Sequence, residues 1–126
     1  MDPRGLTVKF NEHINNRDVD GLAALMTDDH TFIDTAGHAI HGKSKCLAAW
    51  RGFFTTFPEY RNVFDSLVVD DNSVIVIGRS HCSDARLDGA ALWVAKESDG
   101  KLTEWRVYED TPTNRRTLGI GSKTPS

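Results

Sequence analysis

One carboxylate is a candidate for chemistry because of its place in the sequence. Asp34 follows Phe32 at the alternating spacing of a β-strand, so the two side chains are expected to share one face. A carboxylate on an apolar face is out of place unless it is paired or used. Desolvation favours its protonated form, which makes it a better base towards a carbon acid. The alternatives are an Asp34 that bonds the following turn or pairs with a buried arginine.

A histidine and an arginine share one face of a later strand-like run. His81 and Arg79 alternate with their neighbours in the same way as Ile77. A neutral imidazole would donate to a substrate carbonyl or shuttle a proton, and Arg79 would pair with Asp34 or bind an acidic group. The alternatives are a strand-end histidine that bonds one backbone group and an arginine exposed at a sheet edge.

Aromatic residues supply candidate ligand contacts. Trp50 and Phe54 lie four residues apart on one face of a predicted helix, and we expect this pair to touch a ligand. The hydroxyl of Tyr60 is a candidate hydrogen-bond donor of the oxyanion-hole kind. The other aromatic residues either line the same cavity, as we expect of Trp105, or fill the core.

Two histidines near Asp34 raise the question of a metal site. His38 and His41 with this carboxylate form a ligand set that suits several divalent ions. Because histidines in turns are usually solvated, we expect no metal. We also expect no cofactor, since side chains alone supply proton transfer and charge stabilisation in acid–base reactions.

These side chains depend on helices in the first part of the chain and strands in the second. Periodicity predicts three helices, over residues 6–14, 19–26 and 45–57. Asp18 and Ser44 are the expected N-caps of the second and third helices. A short strand (30–36) and a loop (37–42) precede the third helix. Alternation predicts four later strands, over residues 60–69, 73–84, 89–97 and 102–109. Turns at 70–73 and 98–101 would join them antiparallel.

Helices followed by strands indicate an α+β fold rather than a βαβ one. We expect one curved antiparallel or mixed sheet wrapped around the three N-terminal helices, with a conical space for a small ligand between them. One domain is expected over residues 1–110. The tail, 111–126, loses its apolar pattern and is expected to be poorly ordered.

Composition agrees with one globular domain that has its own core. The chain has 126 residues, of which 39% are hydrophobic, and a net charge of −3. That charge argues against general binding of nucleic acid or an anionic membrane. The sequence shows neither a membrane-spanning run nor the layout of a signal peptide. Two cysteines without a C-x-x-C pair fit a cytoplasmic protein with buried thiols, although a bridge between Cys46 and Cys82 stays open.

Four motifs carry a resemblance to a known family. They are TDD followed by TFID and a glycine (27–37), HGKS leading into a helix that ends FPEY (41–60), SH (80–81) and DGKLTEW (99–105). In this order they resemble the SnoaL-like polyketide cyclases of the nuclear transport factor 2-like superfamily, which are relatives of ketosteroid isomerase. The resemblance covers residues 6–110 and implies an α+β cone barrel, or cystatin-like roll, with a cavity. It also implies a homodimer through the outer sheet face, where Arg106 and Tyr108 would lie.

The resemblance also implies roles for single residues. Ketosteroid isomerase has its general base at the position similar to Asp34, and the cyclases place a pocket histidine where His81 stands. Their acid/base aspartate, however, falls on Val107, which cannot transfer a proton. Glu109 shares a face with Val107 and would substitute for it, whereas Asp110 is expected at the solvent or at a dimer contact.

Three functions remain open at this stage. The first is a cofactor-free cyclase or isomerase in which Asp34 removes a proton next to a carbonyl, while His81 or Tyr60 holds the enolate oxygen. The second is a non-catalytic protein that binds a small hydrophobic molecule in the same cavity, which the valine at 107 favours. The third is a protein-interaction scaffold, whose cavity would be filled by side chains.

Overall fold

The computed structural model describes residues 2–121. The helices are α1 (Pro3–Asn15), α2 (Val19–Leu25), α3 (Lys43–Thr56) and α4 (Pro112–Thr117). The strands are β1 (Met26–Ile33), β2 (Ala39–His41), β3 (Arg61–Asp70), β4 (Ser73–His81), β5 (Gly89–Ser98) and β6 (Lys101–Glu109). In this described part of the chain, none of the helices has the length and apolar character needed to span a membrane.

The strands form one open, mixed sheet in the order β2-β1-β6-β5-β4-β3. β1 runs parallel to β6, and every other neighbouring pair is antiparallel. α1 contacts β3 to β6, α3 contacts β1 and β2, and α2 lies between these two helices. The predicted α+β fold, a curved mixed sheet around the N-terminal helices, is confirmed.

The apolar spacing of α1 explains how this helix packs on the inner face of the sheet. Leu6, Phe10 and Ile14 recur every four residues, and all three are fully buried. Phe10 meets Trp105 of β6 with ring centroids 4.6 Å apart. Trp93 of β5 is also fully buried, so the core lies between the helices and the inner face.

Helix starts follow the prediction in one case and depart from it in another. The side chain of Asp18 accepts a hydrogen bond from the Gly21 amide at 2.9 Å and caps α2, as predicted. α3 is capped by Gly42 rather than by Ser44, which lies exposed in its first turn. The φ of Gly42 is 96°, a value that favours glycine, and its amide donates to the His30 carbonyl at 2.8 Å. Tertiary pairing with β1 therefore fixes this helix start.

The edge of the sheet differs from the prediction in two places. β1 begins at Met26, so residues 26–29, which precede the predicted strand 30–36, also belong to it. The pairing of β1 with β6 shifts register between Met26 and Thr31, which accommodates this polar stretch in a strand. The predicted loop contains β2, in which Ile40 pairs with Phe32.

Both predicted hairpin turns are present. Asp71 has a φ of 57° between β3 and β4, and Asp99 and Gly100 have φ values of 52° and 81° between β5 and β6. Two successive positive φ values match the twist of antiparallel strands, so the Asp-Gly pair fixes the register of the last hairpin.

The chain beyond Thr111 is structured up to residue 121, which corrects the prediction of a poorly ordered tail. Thr111 caps α4 by accepting a hydrogen bond from the Asn114 amide at 3.1 Å. Arg115 of α4 pairs with Asp110, Nε to Oδ1, at 2.6 Å, and only 10% and 3% of these two side chains are exposed. Asp110 is therefore a buried ion-pair partner, not a solvent-facing residue. The prediction for residues 122–126 lies outside the described residues.

Candidate functional site

A cavity of about 320 Å³ lies between α3 and the inner face of the sheet. Its lining residues come from α3, from β1, β2 and β6, and from adjoining loops: Phe32, Asp34, Thr35, Ile40, Cys46, Ala49, Trp50, Phe53, Tyr60, Leu87, Trp105 and Val107. The volume falls at the small end of the range for ligand pockets, about 300–1,000 Å³. A scaffold would have this space filled by side chains, and the open cavity does not fit that alternative.

The wall is mainly apolar, with few polar groups. Besides aromatic and aliphatic residues, the lining includes Asp34, Thr35, Tyr60 and Cys46. Among these described lining residues, Asp34 alone carries a formal charge. Burial raises the pKa of the Cys46 thiol, and the structure has both cysteines as free thiols.

α3 supplies the aromatic part of the wall. Trp50 meets Phe32 edge-on at 5.6 Å and stacks on Phe54 at 5.4 Å between ring centroids. Phe53 meets Tyr60 edge-on at 4.7 Å. Of the predicted pair, Trp50 lines the cavity, whereas Phe54 is buried against it and does not line the cavity. Phe53, which the sequence assigned to core or cavity without distinction, lines it.

Asp34 lies where β1 ends, at the wall of the cavity, and it also organises the turn that follows. Its Oδ1 accepts hydrogen bonds from the amides of Ala36 and His38, each at 2.9 Å. Its side chain is 44% exposed. The structure therefore combines two readings of the sequence, a carboxylate at the cavity and a carboxylate that bonds its own turn.

The histidines near Asp34 do not assemble a metal site. His38 Nδ1 lies 3.6 Å from Asp34 Oδ2, and its side chain is 84% exposed. His41 Nδ1 instead lies 3.3 Å from the Thr31 hydroxyl. Within residues 2–121 no group of three or more His, Cys, Asp or Glu side chains is placed to hold a metal ion.

Tyr60 brings a buried polar network to the wall of the cavity. Its hydroxyl lies 3.1 Å from Ser80 Oγ, which donates to Asn62 Oδ1 at 2.8 Å. Burial raises the pKa of Tyr60, and the hydrogen bond with Ser80 offsets part of that rise. Ser80 and Asn62 were not among the residues predicted for the site. The sequence signal that could have identified them is one polar residue on the inward-facing side of each of two otherwise apolar strands.

The structure does not bring His81 and Arg79 to the cavity, which corrects the predicted site. Both are exposed, while Ser80 between them is 4% exposed and bonded to Tyr60. Because side chains alternate along β4, these two residues lie on the outer face of the sheet. Arg79 therefore does not pair with Asp34, and His81 is not placed to hold a ligand.

β6 brings two of its predicted residues to the wall. Trp105 and Val107 line the cavity, so a valine occupies the wall where the resemblance places an acid. Glu109, two residues further along, is exposed and is not among the lining residues. Glu109 therefore does not replace the missing acid.

A loop between β4 and β5 completes the wall through Leu87, which sequence reasoning missed. Glu59 anchors the start of this loop by accepting hydrogen bonds from the Ser83 hydroxyl and from the Ser83 amide, the latter at 3.0 Å. These bonds lower the pKa of Glu59 to about 2. The only signal for Leu87 was a single leucine in a polar loop.

Comparison with protein families gives a match to the SnoaL-like domain over residues 7–105. No curated protein shows significant similarity to the chain. A protein from Shewanella denitrificans, provisionally named a SnoaL-like polyketide cyclase, has a similar structure, with a TM-score of 0.75 at 18% identity. The comparison covers 93% of this chain and 96% of that protein.

Two further structures have a similar fold. One is an NTF2-like protein of unknown function from Cytophaga hutchinsonii, with a TM-score of 0.74 at 17% identity over 94% of this chain and 96% of that protein. The other is a hypothetical protein with a ketosteroid isomerase-like fold from Catenulispora acidiphila, in complex with trimethylamine. Its TM-score is 0.70 at 11% identity, and the comparison covers 100% of both chains. These likenesses show the fold.

Proposed function

The chain belongs to the SnoaL-like domain family, and we propose that its cavity binds a small, mainly apolar cyclic compound that carries a carbonyl oxygen. The observation that carries the proposal is an aromatic wall interrupted by one phenol and one carboxylate. Aromatic side chains favour flat apolar rings through stacking and edge contacts. A few placed polar groups in such a wall fix the orientation of the ligand.

The size of the cavity and one similar fold support a small ligand. A volume of about 320 Å³ favours compounds of one or two rings. The protein from Catenulispora acidiphila has the same fold and was determined with trimethylamine, itself a small organic molecule.

Isothermal titration calorimetry with a panel of one- and two-ring ketones, led by indanone, tests the proposal. The wild-type protein is expected to bind at least one of them. Binding is expected to be lost in Ala49→Phe, because Ala49 lines the cavity and the added ring would fill it. Ala48→Phe is the matched control, since Ala48 is exposed on α3 and is not a lining residue. Equal binding by both variants, or no binding by the wild type, would contradict the proposal.

A second candidate function is proton abstraction from the bound ketone, without a cofactor. It is favoured by the carboxylate of Asp34 in the cavity wall, where Oδ1 takes the two backbone hydrogen bonds and Oδ2 does not. Asp34 would take a proton from the carbon next to the carbonyl, and the carbonyl oxygen would become an enolate beside Tyr60. Return of the proton to that carbon completes the exchange.

Hydrogen exchange at the α-carbon of indanone in D₂O distinguishes the two functions. An enzyme of this type would accelerate deuterium incorporation, followed by NMR, and Asp34→Asn would abolish the acceleration while leaving the affinity nearly unchanged. A rate in Asp34→Asn equal to that of the wild type would exclude Asp34 as the base. If the wild type binds indanone without accelerating deuterium incorporation, only the non-catalytic binding function is supported.

We further propose a homodimer through the outer face of the sheet. Ile77, Arg106 and Tyr108 are half-buried there, Val68 is 45% exposed, and Arg106 lies 4.6 Å from the centre of the Tyr108 ring. Sedimentation velocity is expected to give a particle of twice the chain mass, and Val68→Glu is expected to weaken it. Val8→Glu, at an exposed position of α1, is the control. A wild-type monomer would contradict the dimer.

We also assign the protein to the cytoplasm, on the ground that its two free cysteines fit a reducing compartment. Thiol titration of freshly purified protein is expected to find two thiols after unfolding. A disulfide found under these conditions would contradict the assignment.

A further inference from the structure

Three neutral side chains form a hydrogen-bonded chain that begins at the cavity wall and ends at the Asn62 amide. The Tyr60 hydroxyl lies 3.1 Å from Ser80 Oγ, which lies 2.8 Å from Asn62 Oδ1. The three residues are 8%, 4% and 2% exposed. Because they are screened from water, each hydroxyl proton in the chain must go to a partner within it or to a ligand.

Counting protons shows which way the chain runs in the free protein. Ser80 has one hydroxyl proton and gives it to Asn62 Oδ1. The contact between Tyr60 and Ser80 then uses the proton of Tyr60. In this arrangement Tyr60 offers only a lone pair to the cavity, which suits a ligand hydroxyl and not a ligand carbonyl.

Asn62 provides the means to reverse the chain. Its Nδ2 is buried and has no hydrogen-bond partner. The oxygen and nitrogen ends of a carboxamide are similar in shape, so half a turn about the last bond brings Nδ2 to Ser80. Ser80 then donates to Tyr60, and Tyr60 donates into the cavity.

The backbone of Asn62 is fixed, so its side chain is the part that can turn. Its amide donates to Asn15 Oδ1 at 2.8 Å, and its carbonyl accepts from Asn15 Nδ2 at 2.9 Å. Asn11 Nδ2 of α1 also donates to this carbonyl at 3.3 Å. These contacts hold β3 against α1. They use the backbone of Asn62 and not its side-chain carboxamide.

We propose that Asn62 and Ser80 are positioning residues that set the direction of the hydrogen bond offered by Tyr60, and that a carbonyl ligand is bound with the Asn62 amide turned towards Ser80. The proposal rests on the proposed function for its ligand class. A ligand hydroxyl would be met by the arrangement of the free protein. The relay therefore lets one phenol hold either the keto or the enol form of a ligand.

NMR of the Asn62 side-chain amide tests the relay with matched probes. Indanone is expected to move the Nδ2 proton resonances downfield as they begin to donate to Ser80, whereas indane, which has the same rings without the oxygen, is not. In Tyr60→Phe the response to indanone is expected to disappear while indane still binds. Unchanged Asn62 resonances on indanone binding, or an equal shift with indane, would overturn the relay.

A titration without ligand separates failure of the relay from failure of the proposed function. The chain has two tyrosines, so a Tyr108→Phe variant keeps only the one at position 60. Labelling this variant with fluorotyrosine, which is more acidic than tyrosine, makes residue 60 the only phenol that titrates. The deprotonated residue 60 can only accept, so Ser80 donates its proton to it. Asn62 Nδ2 then turns to donate to Ser80 Oγ. Ser80→Ala and Asn62→Ala are both expected to raise the pKa of residue 60, and Ser80→Thr, which keeps the hydroxyl, is expected to restore it.

Asn72→Ala, at an exposed turn, is the control and is expected to leave the pKa of residue 60 in place. If Ser80→Ala raises this pKa but Asn62→Ala does not, Ser80 acts alone and the relay is overturned. If neither indanone nor indane binds, the proposed function fails, and the titration by itself supports or overturns the relay.

Discussion

Asp34 combines two roles. Its Oδ1 accepts two backbone hydrogen bonds, and the same residue belongs to the lining of the cavity, whose other described lining residues are uncharged. Since position 107 is a valine, Asp34 is the only acid among the described lining residues. At the scale of the residue, Asp34 itself would therefore have to return the proton in the proposed exchange.

His30 is a residue whose ionisation bears on the stability of the fold. It is fully buried, and its Nδ1–H donates to the Leu102 carbonyl at 2.7 Å, while its Nε2 is buried without a partner. Burial lowers the pKa of His30, and the bond to Leu102 only partly opposes this. His30 is therefore neutral in the native state.

Because of His30, the free energy of unfolding is expected to decrease as the pH is lowered. Below pH 6.5 the unfolded chain takes up a proton on this imidazole that the native state refuses, so stability is lost as the pH falls. The contribution is at most about 1.4 kcal/mol per pH unit. Urea unfolding between pH 8 and 5 measures it, with His38→Gln as an exposed control. An NMR titration in which native His30 protonates above pH 6.5 would contradict this account.

At the scale of elements, the pairing of β3 with β4 depends on a glycine. A Cβ at Gly78 would lie 2.1 Å from the Val63 carbonyl oxygen, beside the register shift between Phe64 and Ser66. This oxygen belongs to the backbone, so it cannot move away as the flexible end of a side chain can. This close approach brings Asn62 opposite Ser80 in the ladder and so helps to build the network behind Tyr60.

Gly78→Ala is expected to destabilise the protein by at least about 2 kcal/mol, since the added methyl group overlaps a strand. Gly52→Ala on α3 is the matched control, because nothing lies within 4 Å of its added Cβ. That control is expected to leave stability unchanged or raise it by up to about 1 kcal/mol. Thermal unfolding of both variants measures the contrast, and equal melting temperatures would contradict it.

α4 is expected to depend on its buried ion pair. Arg115→Met removes the two hydrogen bonds from the guanidinium to Asp110, at 2.6 and 2.9 Å. The free energy of unfolding is expected to fall by about 1–3 kcal/mol. Arg116→Met, at the exposed neighbouring position, is the control. Urea unfolding gives the cost, and proteolysis at residues 112–121 reports whether the helix detaches. Equal stability of both variants would show that the pair is not structural.

The order and type of most elements could be predicted from the sequence, but the inward face of β4 could not. Val74 and Val76 point to the core, while Ile75 and Ile77 occupy the other face. Since both faces are apolar, alternation identifies which residues share a face and not which face is buried. Alternation therefore left open whether His81 or Ser80 faces the cavity, and the resemblance, which implies a pocket histidine at this position, favoured His81. The extension of β1 and the cap of α3 likewise depend on pairing between distant segments, which local patterns do not contain.

At the scale of the whole molecule, the sheet separates two surfaces with different roles. Its inner face and α3 enclose the cavity, and its outer face carries Arg106 and Tyr108. Because ligand and partner would use opposite faces, the proposed dimer and the proposed ligand site are independent. Val68→Glu is therefore expected to weaken self-association without changing the affinity for indanone.

A crystal structure of the protein with indanone tests the central claim most directly. We predict that the rings lie between Trp50 and Trp105, with the carbonyl oxygen within hydrogen-bond distance of the Tyr60 hydroxyl, at about 2.6–3.0 Å. A cavity that stays empty at saturating indanone, or a ketone bound elsewhere on the molecule, would contradict the account.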